Sequence, residues 1–404
     1  MTAADNFSIS KVIGGSLLVG GTAIGAGMLA LPVVTGAGGF WPAIFMYFLC
    51  YIFSVSTGLL FLEVCLWMPK NANIVSMADH LLGKSGRMFA WIWYLFLFYC
   101  LTIAYVAAGG DFIFSLFQGL LPHFMGTILF TVIFGFFVYI GTFAVERINS
   151  LLMAGLVVSY IMFIIFGVSK VNLANLSHMD WIKGTFALPV IFTSFSYQGV
   201  IPSLTAYMDR NAKMMRLAIL IGTSIPFFVY VIWELLTLGI VPAFGPDSLT
   251  EAYKQGQSAI YPLKRYLHST AVYTISRFFA FFALTTSFLG VTLGLLDFLS
   301  DSLKIPKIGW KKVYLCAVIF VPPVIISLIN PTIFLKALGY AGGIGCALLL
   351  GFLPALMAWV GRYKKGYPAL SKQLPGGKVA LTLLFIFVGL ELIIEVLQEI
   401  FTFN

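Results

Sequence analysis

The chain has 404 residues, 60% of them apolar and 10% charged, against roughly 25% charged in a soluble domain, so its ionic groups are too few to cover a water-facing surface. Mean hydropathy is +0.99 and the apolar runs recur along the whole length, which excludes a soluble enzyme or scaffold and identifies a helical membrane protein with the lipid bilayer as partner. The net charge of +9 does not indicate nucleic acid, because the basic residues lie in short connections between apolar runs, where the positive-inside rule accounts for them.

A crossing helix needs about 20 apolar residues. Eleven stretches qualify, near 12–34, 42–66, 88–109, 126–143, 149–168, 186–207, 216–240, 271–297, 312–328, 335–360 and 380–402. The first is long, rich in glycine and not followed by a small-residue cleavage site, so it reads as a retained span and not a cleaved leader. From Gly20 to Pro32 it runs Gly-Gly-Thr-Ala-Ile-Gly-Ala-Gly-Met-Leu-Ala-Leu-Pro. Each interior glycine costs a helix about 1 kcal/mol relative to alanine, and irregular backbone persists in a membrane only where it is buried in protein or lines a wet cavity. A break between Thr22 and Gly27 is expected. Close helix packing through small residues would explain the glycines alone equally well.

The second span carries Glu63 near its end, where it is expected to pair with a loop lysine as part of a gate. Tyr99 and Tyr105 fall in the third span. The sixth supplies the second interruption: Pro189, then Thr-Ser-Phe-Ser-Tyr-Gln-Gly-Val-Ile-Pro from Thr193 to Pro202, with polar residues, glycine and proline in the middle of an apolar run. The 241–270 connection is expected to form an outer loop or partial lid holding a short interfacial helix. In the eighth span Arg277 is an intramembrane charge, and Thr285, Thr286 and Ser287 form a cluster of adjacent hydroxyls, which in a membrane helix can bond their own backbone carbonyls. Glu234 and Glu391 are further charged groups within spans, each of which needs a cavity or a partner.

Two interruptions five spans apart divide ten spans into two sets of five. Five is odd, so the second set enters the membrane from the opposite side and the sets form inverted repeats, about 8–170 and 182–362, with an accessory helix at about 379–403. The whole chain, 1–404, is thus one transmembrane domain. Unwinding frees amide N–H groups at one half-helix start and carbonyls at another half-helix end, an arrangement suited to a zwitterionic amino acid.

With the amino terminus inside, 17 of the 24 Lys and Arg collect on the cytoplasmic side and six on the other. This sets a cytoplasmic N-terminus and an external C-terminus. Trp41, Trp67, Trp181, Trp310 and Trp359 lie at span ends and read as interfacial anchors. The five cysteines lie inside spans as packing residues, so no metal and no disulfide is expected. All four histidines (His80, His123, His178, His268) fall in loops, leaving no intramembrane imidazole for a proton relay; if protons drive transport, a carboxylate such as Glu63 or Glu234 is the expected carrier. No phosphate loop, filter loop or catalytic cluster is present in the sequence, which argues against an ATP-driven pump, a channel and an enzyme, and no cofactor is expected.

The motif from Gly21 to Pro32, with Ile13-Gly14-Gly15 before it and Gly38-Gly39-Phe40-Trp41-Pro42 after it, resembles the bacterial aromatic amino acid permeases, the tyrosine- and tryptophan-specific branch of the hydroxy and aromatic amino acid permease family. The segment Phe192 to Leu204 is similar to the same family's sixth-span motif, and the resemblance extends over almost the whole chain. It implies an all-α polytopic membrane protein of 11 transmembrane helices. Within that architecture it implies a LeuT-like core of five plus five inverted repeats, with broken helices 1 and 6 and one accessory helix, in the amino acid, polyamine and cation transporter superfamily. It also implies proton-coupled uptake of tyrosine or tryptophan across the bacterial inner membrane; the residues leave open sodium coupling and a permease for another neutral or hydroxy amino acid as the alternatives. Ser196 and Gln198 stand where several relatives have glycine and histidine, so a proton role for that histidine is absent here.

The expected substrate contacts are Thr22, Ile24, Gly25, Ala26 and Gly27 from the first span and Phe195, Ser196, Tyr197 and Gln198 from the sixth. Gly25 and Gly27 would admit the ligand close to the backbone, Phe195 or Tyr197 would stack on an aromatic side chain, and Gln198 would meet a phenol or indole polar atom. Tyr99 and Tyr105 are expected to reach the carboxylate or a gate. Thr285, Thr286, Ser287 and Glu63 are the candidate cation or coupling site.

Overall fold

The computed structural model describes residues 8–69, 72–117, 120, 122–267, 269–368 and 373–402; His268, and Lys70 and Lys372 among the 17 basic residues counted above, lie outside the described residues. The described residues contain helices and no strand. Their order is α1 (Ile9–Ala23), α2 (Gly27–Thr35), α3 (Phe40–Trp67), α4 (Ile74–Leu116), α5 (His123–Ile140) and α6 (Thr142–Gly167). Then follow α7 (Trp181–Thr185), α8 (Leu188–Ser194), α9 (Ile201–Tyr207), α10 (Ala212–Ile240), α11 (Leu249–Lys254) and α12 (Ile260–Tyr266). The chain closes with α13 (Thr270–Leu303), α14 (Gly309–Ile329), α15 (Ile333–Tyr340), α16 (Leu353–Tyr363) and α17 (Gly377–Thr402).

Nine helices among the described residues are long and apolar enough to cross a membrane, and the pair α1 and α2, bent by 56° across their break, makes a tenth. The sixth expected span is divided into α8 and α9, seven residues each, so neither half reaches crossing length by itself. This leaves the sequence-based total of eleven dependent on that divided segment.

Three local features differ from the sequence reading. The 70–87 connection, read as loop, holds the first turns of α4: Asn73 and Ser76 form a reciprocal cap, and the chain kinks at Gly83, whose φ of 75° suits glycine. His80 therefore lies on a helix, where its Nε2 meets the Tyr367 hydroxyl at 2.9 Å, and His123 opens α5. The outer connection holds two short helices, α11 and α12, instead of one. Finally, Ala341–Phe352, between α15 and α16, is π-helical over 12 residues, far longer than the usual single-turn bulge. Its glycines permit close contacts: a Cβ on Gly342 would overlap the Pro189 carbonyl of α8, and one on Gly343 would lie 2.6 Å from Glu395 Oε2 of α17.

The packing assigns the glycines of the first span to two jobs. Gly20 lies against α10, where an added Cβ would stand 2.9 Å from Gly222 O, and Gly222 in turn faces Val19. That is small-residue packing between α1 and α10. Gly25 and Gly27 lie at the break itself.

Candidate functional site

Helix α1 ends where Ile24 turns to an extended conformation (φ −73°, ψ 106°) after its amide has bonded Gly20 O at 3.0 Å. Helix α2 restarts at Gly27, with Met28 N bonded to Gly25 O and Leu29 N to Ala26 O, each at 3.1 Å. The Ala26 amide leaves the helix pattern altogether and donates to Ser287 Oγ of α13 at 3.0 Å. Among the described residues the amides of Gly25 and Gly27 make no hydrogen bond, so the start of α2 presents free donors at its positive end.

The second break is built in the same way. Helix α8 closes with Phe195 N on Ile191 O and Ser196 N on Thr193 O, a short helical turn spans Gln198–Val200, and α9 restarts at Ile201 with Pro202 in its first turn, where the missing N–H costs nothing. The two breaks meet. A Cβ on Gly27 would lie 2.6 Å from Ser194 Oγ and 3.3 Å from Ser194 Cα, so only glycine allows this approach. The Tyr230 hydroxyl of α10 stands 2.6 Å from Ala23 O and 2.8 Å from Ser194 O. It thus satisfies the carbonyls that end the first half of each broken helix.

Around Tyr230 lies a buried aromatic and acidic cluster. The Phe195 ring packs edge-on against Tyr230 at 5.1 Å and tilted against Tyr47 at 6.2 Å. Tyr47 donates to Glu234 Oε2 at 2.7 Å, and Thr35 meets the other carboxyl oxygen. Tyr105 is buried beside Ser287 and Cys346 and within range of Tyr230. On the far side from the chain's start α11 and α12 cover α2, with Ala259 N bonded to Leu29 O at 3.0 Å and Leu249 against Gly36. Toward the face where α1 begins, Gly199 and Gly290 are exposed and nothing stands within 4 Å of a Cβ on either. Gly290 lies on the same helix face as Ser287 (i, i+3).

A match to the Tryptophan/tyrosine permease family covers residues 8–395. The chain belongs to this family. Among the permease's relatives are "Tyrosine-specific transport system 1" and "Tryptophan-specific transport protein", both of Haemophilus influenzae. The first is 32% identical with 94% of each chain covered and the second 30% identical with 96% of each covered. "Glutamine transporter 2" of Aliivibrio fischeri is 31% identical, with 95% of this permease and 99% of the relative covered. The crystal structure of MhsT in complex with L-phenylalanine matches with a TM-score of 0.70 at 16% identity, covering 95% of this chain and 98% of that one. The permease is a multi-pass membrane transport protein with the all-α LeuT-like fold.

Of the expected site residues, Ile24, Gly25, Ala26, Gly27, Ser196, Phe195, Tyr105 and Ser287 converge on the two breaks. Thr22 does not: it is exposed and its hydroxyl bonds its own helix at Leu18 O, 2.7 Å. Tyr99 points to α14, donating to Val318 O at 2.8 Å. Tyr197 and Gln198 turn into α3. The Tyr197 hydroxyl reaches Ser54 O at 3.1 Å, and the Gln198 amide donates to Thr57 Oγ1 at 2.9 Å and Ser54 Oγ at 3.3 Å while its oxygen accepts from Tyr197 N. The hydroxyl of Thr286 bonds its own helix, Ser287 bonds both its helix and Ala26, and Thr285 is buried without a partner among the described residues.

Glu63 pairs with Arg362 of α16, not with a loop lysine. Arg277 lies beside the Phe112 and Tyr273 rings and bonds Ser115 Oγ at 3.3 Å. It borders an outer cavity of about 920 Å³ that Asp111, His123, Tyr261 and Lys264 also line. The sequence reading passed over Tyr230 and Tyr47. Tyr230 stands one helical turn before Glu234, and that i, i+4 pairing of a hydroxyl with an intramembrane carboxyl was the available signal.

Proposed function

We propose that this permease imports an aromatic amino acid, tyrosine or tryptophan, across the bacterial inner membrane by alternating access, with a proton as the coupling ion. The observation that carries the reading is the Tyr230 hydroxyl at 2.6 and 2.8 Å from the two carbonyls that end α1 and α8, which makes one site of two non-adjacent breaks. The substrate carboxylate takes the free amides of Gly25 and Gly27 at the start of α2, as half-helix N-termini do for anionic groups. Ile24, Ser196, Phe195 and Tyr105 border the remaining space. The names of the tyrosine and tryptophan relatives and the phenylalanine complex of the structural neighbour support an aromatic side chain as cargo.

In the alternating-access reading, the covered α2 and the exposed Gly199 and Gly290 correspond to a state open to the cytoplasm, with the N-terminus inside and the C-terminus in the periplasm. The two repeats, 8–170 and 182–362, rock about the shared site, and α17 stays outside them. Glu234, tied through Tyr47 to the rings beside the breaks, is the carboxyl best connected to the substrate. Sodium held near Ser287 is the competing ion, and the glutamine-transporting relative favours a second reading in which another neutral amino acid is the cargo.

Uptake of labelled tyrosine and tryptophan into proteoliposomes, under proton and sodium gradients imposed separately, decides both points. Accumulation driven by the proton gradient, competed by aromatic amino acids and not by glutamine, is expected. Accumulation driven by sodium alone, or competed best by glutamine, overturns the corresponding part.

A further inference from the structure

Helix α17 carries Glu391, Glu395 and Glu399 at i, i+4 and i+8, which places three carboxyls on one face at steps of about 6 Å along the axis. The face points into the protein. Glu391 and Glu395 are 1% and 4% exposed, and neither oxygen of Glu391 nor Oε2 of Glu395 has a hydrogen-bond partner among the described residues. Glu395 sits against Gly339 of α15 and Gly343 of the π-helical stretch. Glu399 Oε1 accepts from the Tyr340 hydroxyl at 2.8 Å.

Among the described residues no ion pair reaches the two inner carboxyls. From α15 comes Tyr340, with Lys336 one turn further out; from the π-helical stretch, Cys346; from α4, Cys100; from α3, Cys50. Helix α11 contributes Tyr253, whose hydroxyl accepts from Gln398 Nε2 at 2.7 Å, and α8 contributes no titratable group. An ionised Glu391 would have neither a donor nor a cation among the described residues and would bear the full cost of desolvation, which a proton on the carboxyl removes. The other two buried acids differ. Glu63 is locked to Arg362, and Glu234 is bonded through both oxygens.

We propose that Glu391 and Glu395 form a proton-binding site in the last membrane helix, with Glu399 as its outer end, and that this site exchanges its proton as the broken helices move. The connection to the breaks is short: the Cys346 thiol neighbours Glu391 and the Ser196 side chain, and the same stretch packs on α8, where the Thr193 hydroxyl donates to Leu338 O at 2.9 Å. With both acids protonated at rest, exchange begins with a loss: Glu391 releases H⁺ to water admitted as the helices move, takes the proton of Glu395, and Glu395 is reprotonated by way of Glu399, so one proton enters for each that leaves. That exchange rests on the proton-coupled reading above; the proton held by the acids does not.

Infrared spectroscopy of the full-length protein in liposomes tests the site. A carboxylic acid C=O band present at neutral pH should be lost in part in Glu391→Gln and again in Glu395→Gln, both of which retain the wild-type thermal midpoint because Gln replaces a neutral acid of the same shape. The ratio of proton-driven accumulation to counterflow exchange of labelled tyrosine should fall at least about tenfold, or about 1.4 kcal/mol of coupling. An unchanged band in both variants, or an unchanged ratio alongside proton-driven wild-type uptake, overturns the proposal. Wild-type protein indifferent to the proton gradient, yet with a band that both substitutions remove, would sink the coupling reading and uphold the site.

Discussion

Glu63 and Arg362 face each other through two parallel hydrogen bonds, Nε to Oε1 at 2.7 Å and Nη2 to Oε2 at 2.6 Å, with side chains 1% and 5% exposed. Gln373 N adds a third bond to the carboxylate and Leu374 O accepts from the guanidinium. The pair therefore ties α3 and α16 to the segment that leads into α17.

Removing one partner of a buried pair leaves the other charge uncompensated, at a cost of about 3–5 kcal/mol, whereas replacing both by apolar groups is often neutral. Glu63→Gln should lower the thermal midpoint sharply, and Glu63→Leu combined with Arg362→Met should recover much of the loss. A Glu63→Gln protein as stable as wild type would contradict this.

Gly25 lies against Ser287, whose Oγ an added Cβ would overlap. Gly25→Ala should displace Ser287 from the Ala26 amide and cut tyrosine uptake at least tenfold. Adding Ser287→Ala removes the clash and should restore part of that uptake. If the double variant transports no better than the single one, the bulk at Gly25 acts on something other than Ser287.

The hydroxyl of Tyr230 bonds both α1 and α8 at their ends. Tyr230→Phe leaves two buried carbonyls without that donor, a loss of about 1–3 kcal/mol, and it should weaken substrate binding as well as stability. Titration of bound tyrosine in detergent checks the first part and thermal unfolding the second; unaltered affinity would argue against a shared site.

Gln198 was read from sequence as a specificity contact, yet its amide is saturated by Ser54, Thr57 and the Tyr197 backbone. Gln198→Leu should therefore reduce stability by about 1–3 kcal/mol, since it strips buried donors and acceptors of their partners, and should leave the order of competing amino acids in place. A changed order with unchanged stability would return Gln198 to the substrate.

Composition and local pattern were enough to establish a membrane protein, most of its spans, both breaks and the family, because hydropathy and the helix-breaking effect of glycine and proline act over a few residues at a time. Ile24 to Gly27 and Phe195 to Ser196 were legible for that reason. The partners were not. Glu63 with Arg362, Ser287 with Ala26, Gln198 with Ser54 and Tyr230 with Ser194 are fixed by how helices rotate and pack against one another. A turn of about 100° per residue decides whether a polar side chain meets the breaks, a neighbouring helix or lipid. That rotation comes from the sum of many apolar contacts across the fold, which is why Thr22 and Tyr99, polar and at the expected depth, point elsewhere.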